Sequence, residues 1–238
     1  LTSHVAIPGP LKGARFLDRP NRFIIRVALE PEEVVVTAHL PDPGRLEDLL
    51  LPEARIWVRP TPDPARKTAW SAALVQAPSQ ALVSLDTLLP NRLARVALEE
   101  ETIAPLAGWS VVRAEVPLGR SRVDFLLQDY TGAQMYLEVK SATWVEGGVA
   151  RFPDAPSDRA ARHLRELAEA TATPGVYATL LFIVQRNDAT QLTAAPEIDP
   201  DFARALREAE AAGVRILAHR CQLTLEELML GVEIPVLL

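Results

Sequence analysis

An α+β protein of two domains is predicted, with a small β-barrel over residues 1–84 and a mixed sheet flanked by helices over residues 85–238. Three observations carry this expectation. The first third holds β-branched runs broken by turn residues, with a single short stretch of helical spacing. The remainder alternates strand-like and amphipathic segments in the order α-β-β-β-α-β-α-β. The length, 238 residues, suits one large domain or two small ones at roughly 100–200 residues each.

In the N-terminal part, Phe23–Leu29 and Val34–Leu40 read as strands joined through Glu30-Pro31-Glu32-Glu33. Pro41-Asp42-Pro43-Gly44 stops the second strand. Arg45–Leu50 has apolar residues at i, i+3 and i+4, which predicts one or two helical turns. Further strands are predicted at Arg55–Arg59, Thr68–Gln76 and Ala81–Leu85, around a loop with four prolines within residues 52–64. Strands, a short helix and more strands is the element order of an OB-fold, a barrel that commonly holds single-stranded nucleic acid on one face. Arg15, Arg19, Arg22 and Arg26 cluster about the first of these strands, with Phe16 and Phe23 between them. They are candidate DNA contacts, and a solvated arginine face over core phenylalanines is the alternative. Pro41–Arg45 reads equally as a phosphate cradle that includes Arg45 or as a plain turn.

In the C-terminal part, Pro90-Asn91 introduces a helix over about 92–101. Strands are predicted at Ser110–Val116, Arg122–Gln128 and Gln134–Ser141. A second helix over 158–170 has Ser157 as its N-cap. Val176–Val184 is apolar almost throughout, as a central strand covered on both sides should be. A third helix over 200–212 ends at Gly213, and Val214–His219 is the last strand.

Composition narrows the function classes. Apolar residues make up 48% and charged residues 24%, an ordinary globular balance that excludes disordered and collagen-like chains. The most apolar stretch, residues 178–184, is too short to span a bilayer, so no membrane partner is expected. The single cysteine, Cys221, gives no internal disulfide and no zinc cluster. No basic-then-apolar leader opens the chain, and a cytoplasmic protein is expected. The net charge of −6 is unequally spread: residues 1–84 carry ten cations and nine anions, residues 85–238 fifteen and twenty-two. Acidity of the second part is compatible with DNA binding where carboxylates hold metal ions.

The most informative pair of segments is Ser121–Leu127 and Met135–Ser141, joined by a turn around Tyr130-Thr131-Gly132. Centred on Thr131, the predicted hairpin sets residues whose numbers sum to about 262 opposite one another, so Asp124 faces Glu138 within a residue. Side chains at i and i+2 share a strand face, which puts Lys140 beside Glu138. Like charges opposite each other destabilise a sheet, and a divalent cation relieves them. Mg²⁺ takes one or two carboxylates plus water and phosphate oxygens. The lysine can then serve a metal-bound water, so Asp124, Glu138 and Lys140 are candidate catalytic residues for metal-assisted phosphodiester hydrolysis with Mg²⁺ or Mn²⁺. Glu115, on the preceding strand, is a further candidate carboxylate. The alternative is a surface hairpin with a local Glu138–Lys140 pair. Arg122 on the hairpin and Arg159 on the second helix, whose N-terminus follows Phe152–Pro156, are further candidate DNA contacts. Trp144 is the aromatic candidate for stacking on a base. His163 reads as a structural hydrogen-bonding residue.

Asp…Glu-x-Lys within an α-β-β-β-α-β order resembles the core of PD-(D/E)xK nucleases. His39–Arg45, Leu89-Pro90-Asn91-Arg92-Leu93, Ser121–Phe125, Tyr136–Ser141, Phe152–Ala155 and His163–Leu167 together resemble one family, the sugar fermentation stimulation protein A (SfsA) family. That resemblance covers nearly the whole chain. It implies an OB-like domain followed by a nuclease-like domain, non-specific DNA binding, and a regulatory link to sugar, notably maltose, metabolism. By analogy with the nucleases it implies Asp124, Glu138 and the Val139 carbonyl as metal ligands. The chain departs from the family at Asp42, where relatives often carry Asn, and at Val96, where they often carry Glu.

Overall fold

A computed structural model describes residues 2–61 and 65–238. A short strand, β1 (His4–Ala6), precedes the six strands of a barrel: β2 (Lys12–Asn21), β3 (Ile24–Leu29), β4 (Val34–His39), β5 (Arg55–Pro60), β6 (Trp70–Gln76) and β7 (Leu82–Ser84). Their order is β4-β3-β2-β5-β6-β7, and a parallel pairing of β4 with β6 closes the sheet into the OB-like barrel. Alternate residues fill its interior: Ala14 and Phe16 from β2, Ile25 and Val27 from β3, Ile56 and Val58 from β5.

Two sequence expectations change here, and a third is only partly described. Lys12–Asn21 is a ten-residue strand that the arginine-rich sequence did not announce. Residues 62–64 of the expected proline loop lie outside the described residues. The helix expected over Arg45–Leu50 is a turn. Leu46 adopts φ +54°, and the N–H groups of Leu49 and Leu50 both return to its carbonyl. The Asp154 carboxylate also takes the backbone N–H groups of Arg45 and Leu46. The apolar spacing was still informative, because Leu46 and Leu49 are both buried in the barrel core.

After the barrel come α1 (Leu89–Glu99), β8 (Ser110–Leu118), β9 (Ser121–Gln128), β10 (Gln134–Ala142), β11 (Val145–Glu146), β12 (Val149–Phe152) and α2 (Asp158–Thr171). Then follow β13 (Val176–Val184), β14 (Gln191–Ala194), α3 (Pro200–Ala211), β15 (Arg215–Leu223), β16 (Glu227–Glu233) and β17 (Val236–Leu237). The large mixed sheet has the order β1-β16-β15-β13-β10-β9-β8, with β10, β13 and β15 parallel. A second small sheet runs β11-β12-β14-β17. The strands β1, β11, β12, β14, β16 and β17 were not read from the sequence; most span only two to four residues, too few to show a period. His4–Ala6 thus pairs with the large sheet rather than with the barrel that it precedes.

The two faces of the large sheet are covered differently. Leu180, Phe182 and Val184 of β13 pack toward α2 and α3, while Leu181 and Ile183 pack toward α1. This is the two-sided burial expected of β13. Trp57, Ala73 and Leu74 of the barrel join the α1 side, so barrel and sheet share one core. Leu137 and Val139 of β10 also belong to that side. Glu138 and Lys140 therefore point the other way, toward α2. The helix is fixed by the expected cap, with Ser157 Oγ accepting the Ala160 N–H at 3.2 Å. Among the described residues, no helix is long and apolar enough to cross a membrane.

Candidate functional site

The hairpin of β9 and β10 has the expected register: Gln128 faces Gln134, Leu127 faces Met135, Leu126 faces Tyr136 and Phe125 faces Leu137. The ladder stops there, one rung short of Asp124 and Glu138. Phe125 packs on the α1 side whereas Val123, two residues earlier, packs on the α2 side. Residues two apart normally share a face, so β9 rotates at Asp124 as it leaves β10 to follow β8. Asp124 fills the gap: Oδ2 accepts the Val139 N–H at 2.7 Å and Oδ1 accepts Asn91 Nδ2 at 2.6 Å. Asn91 comes from the first turn of α1, which sequence reasoning placed at the helix start without a partner.

Glu138 is buried, with 3% of its surface exposed. Its Oε1 accepts Lys140 Nζ at 2.5 Å and lies 2.6 Å from His163 Nδ1 on α2. Its Oε2 is buried and has no hydrogen-bond partner. His163 is fully enclosed, and its Nε2 faces Arg159 Nε at 3.2 Å.

The two carboxylates respond unequally to this crowding. Burial, and then the charge of Glu138, pushes the Asp124 carboxyl up to about 6. Burial also raises Glu138, but the His163 hydrogen bond and the Lys140 charge outweigh it and hold Glu138 below its usual value. As the pH falls, Asp124 is therefore the first of the pair to take a proton.

The other predicted members are Glu115 and the backbone carbonyl of Val139. Glu115 adopts φ +55°, leaves its side chain exposed and lies 3.9 Å from Arg122, while its backbone stands opposite Asp124 between the rungs Ala114–Phe125 and Val116–Val123. The Val139 side chain is buried on the opposite face of the sheet. Among the described residues, no three His, Cys, Asp or Glu side chains gather closely enough to hold an ion by themselves. Another buried carboxylate, on α2, serves the fold: Glu166 Oε1 accepts the Arg120 N–H at 2.8 Å and so grips the β8–β9 turn.

Of the barrel arginines, three are already engaged. Arg15 pairs with Glu33 at 2.5 Å and Glu53 at 2.7 Å, and Arg26 pairs with Asp18. Arg19 donates to the carbonyls of Arg22, Gly44 and Arg45 and so ties the 42–46 turn to β2. Arg22 lies exposed over the Phe23 ring, and Arg45, Arg122 and Arg159 are exposed as well. Trp144 is half-buried beneath the Arg151 guanidinium at 4.9 Å. A cleft of about 350 Å³ separates the barrel turn from the end of β10, and Arg22, Asp42, Ser141, Trp144 and Asp154 are among its walls. Ser141 follows Lys140 on β10, and its side chain faces the opposite side of the sheet from Lys140. Burial pushes Asp42 up to about 6, against the pull of the Gly44 N–H that it accepts at 2.8 Å.

Comparison with known proteins resolves the chain's relationships. The family model described as the SfsA N-terminal OB domain matches residues 17–85. That described as the sugar fermentation stimulation protein RE domain matches residues 88–227. The chain belongs to the sugar fermentation stimulation protein (SfsA) family. A homolog from Moorella thermoacetica is 46% identical over 220 residues, which is 92% of this chain and 93% of that one. A homolog from Shouchella clausii is 41% identical over 227 residues, 95% of this chain and 97% of that one. The structure of Pyrococcus furiosus SfsA in complex with Ca²⁺ is similar throughout: TM-score 0.87 at 28% identity, over 98% of this chain and 100% of that one. Within this SfsA-family chain, sequence reasoning missed the parts played by Asn91 and Glu166 and the identity of His163's partner. Each sits in a motif visible in the sequence, Leu-Pro-Asn-Arg-Leu or His-Leu-Arg-Glu-Leu, but the group it meets lies 25 to 46 positions away.

Proposed function

We propose that this chain is a cytoplasmic DNA-binding protein on a nuclease scaffold, acting as a regulator of sugar, including maltose, metabolism. The observation that carries the DNA-binding part is the cleft between the barrel turn and the end of β10, where Arg22 of the barrel, Ser141 of β10 and Trp144 just past it line one groove. Cations at a groove mouth meet phosphates, and an aromatic wall offers a surface for a base. The sugar link rests on the name of the relatives. Retardation of duplex and single-stranded DNA at low salt tests the binding. No retardation of either would sink it.

The same site fits a divalent cation, Mg²⁺ or Mn²⁺. Glu138 Oε2 is a buried anionic oxygen without a partner, and Asp124 is charged only at a cost. Both conditions are relieved by a hard cation with oxygen ligands. The ligands we assign are Asp124, Glu138 and the Val139 carbonyl. Relevant to this is the Ca²⁺ complex of the Pyrococcus furiosus relative, since Ca²⁺ takes the same class of ligand. A cation held here supplies Lewis acidity to a phosphodiester oxygen. Asn91 and the Val139 N–H orient Asp124, while Lys140 and His163 hold the Glu138 carboxylate ionised.

Phosphodiester hydrolysis is a second reading, favoured by one observation. Lys140 is largely buried and lies within hydrogen-bond reach of the Glu138 carboxylate, where a surface lysine would point to solvent. Cleavage of single-stranded, duplex, flapped and branched DNA with Mn²⁺, with Lys140→Ala alongside, separates the two. Cleavage lost in the variant supports hydrolysis. No cleavage of any substrate, with binding retained in both proteins, leaves the DNA-binding regulator.

A further inference from the structure

We infer that His163 is a positioning residue for Glu138, held in one tautomer by Arg159, so that the carboxylate keeps Oε2 free for a cation. This rests on the reading that the site holds a divalent ion.

The geometry assigns the protons. A guanidinium N–H can only donate, so Arg159 Nε, 3.2 Å from His163 Nε2, makes that ring nitrogen an acceptor. A ring that accepts at Nε2 carries its proton at Nδ1. Nδ1 lies 2.6 Å from Glu138 Oε1, so His163 donates to the carboxylate. The opposite tautomer would set two lone pairs against each other at that distance, in a place where 1% of the His163 surface and 3% of the Glu138 surface reach solvent.

The arrangement is built into α2. Arg159 and His163 are four residues apart and share one helix face. Ser157 caps the helix two residues before Arg159, which fixes where that face points. With Lys140 on the same oxygen at 2.5 Å, Oε1 carries both donors and Oε2 carries none. A carboxylate gripped at one oxygen cannot rotate, and its other oxygen stays aimed. Outer groups that orient a metal ligand in this way typically account for about 10–100-fold in metal affinity. A histidine present only to fill the core would leave cation affinity unchanged.

Calorimetric titration of the full chain with Mn²⁺ and Ca²⁺ tests this, with unfolding in EDTA as a check of the fold. The unaltered protein should bind, and Glu138→Gln should abolish binding. His163→Leu should weaken it about 10–100-fold. His163→Asn, which keeps an N–H near the Nδ1 position, should restore affinity to within about threefold, and Arg159→Met should fall between the two. Arg159 is exposed, so that variant remains informative if His163→Leu does not fold. Unchanged affinity in His163→Leu, or in Arg159→Met where the former is unfolded, overturns the inference and leaves the cation reading standing. Absence of binding by the unaltered protein overturns both.

Discussion

The backbone N–H of Val139 points at Asp124 Oδ2 from 2.7 Å, so a carboxylate stands where the next rung of the β9–β10 ladder would be. A side-chain acceptor replaces a backbone carbonyl, the N–H stays satisfied, and the strands are free to part. Asp124 is held beside Glu138 by the backbone of the very strand that carries Glu138.

That placement has a measurable electrostatic cost. The Asp124 carboxyl is raised from 3.8 to about 6, by burial first and the charge of Glu138 second. A carboxyl that binds its proton more tightly when folded favours the folded state below about pH 4, and that favour is lost as the pH rises through about 6. In EDTA, Asp124→Asn should therefore be more stable than the natural protein near pH 7, by up to about 3 kcal/mol, with the advantage shrinking toward pH 4. Denaturant unfolding at both pH values measures it. A variant less stable at both would show that the charge is already compensated.

The barrel turn and the loop before α2 are locked by a close approach at Gly44. A Cβ placed there would run into the Asp154 carboxylate, which is itself engaged with the N–H groups of Arg45 and Leu46. Gly44→Ala should cost about 1–3 kcal/mol of unfolding free energy, as overpacking typically does. A change below about 0.5 kcal/mol would mean that the turn yields without strain.

DNA binding should distinguish paired from unpaired arginines. Arg22→Ala should reduce the slope of log affinity against log salt by about one, and weaken binding to all sequences alike. Arg15→Ala and Arg26→Ala should leave the slope unchanged, because Glu33, Glu53 and Asp18 already neutralise those guanidiniums. Equal effects from all three would indicate that the barrel salt bridges open on DNA.

Cys221 is buried, and burial pushes its thiol far above the ordinary range. The thiolate is the reactive form, so the folded protein should resist thiol reagents and react stoichiometrically once unfolded. Prompt labelling of the folded protein would contradict its enclosure.

Much of the hairpin was legible because its information is local. A turn at Thr131 and a period of two suffice to set Leu126 against Tyr136 and to put Lys140 on the face of Glu138. The turn over Arg45–Leu50 was misread for the complementary reason. Its apolar spacing is helical, but Asp154, over a hundred residues away in sequence, takes the N–H groups of Arg45 and Leu46. The arginines of the barrel looked alike as letters. Which ones are neutralised depends on Glu33 and Glu53, brought to Arg15 only by strand pairing.

By itself the sequence determined the family, the two-part architecture, and the convergence of Asp124, Glu138 and Lys140, because motif and strand period are properties of neighbouring residues. Only the tertiary structure decided which oxygen of Glu138 is free, which carboxylate of the pair is pushed up, and that Asn91 and His163 hold them. Those outcomes follow from burial and from hydrogen bonds made between α1, α2 and the sheet, and neither exists until the chain has packed.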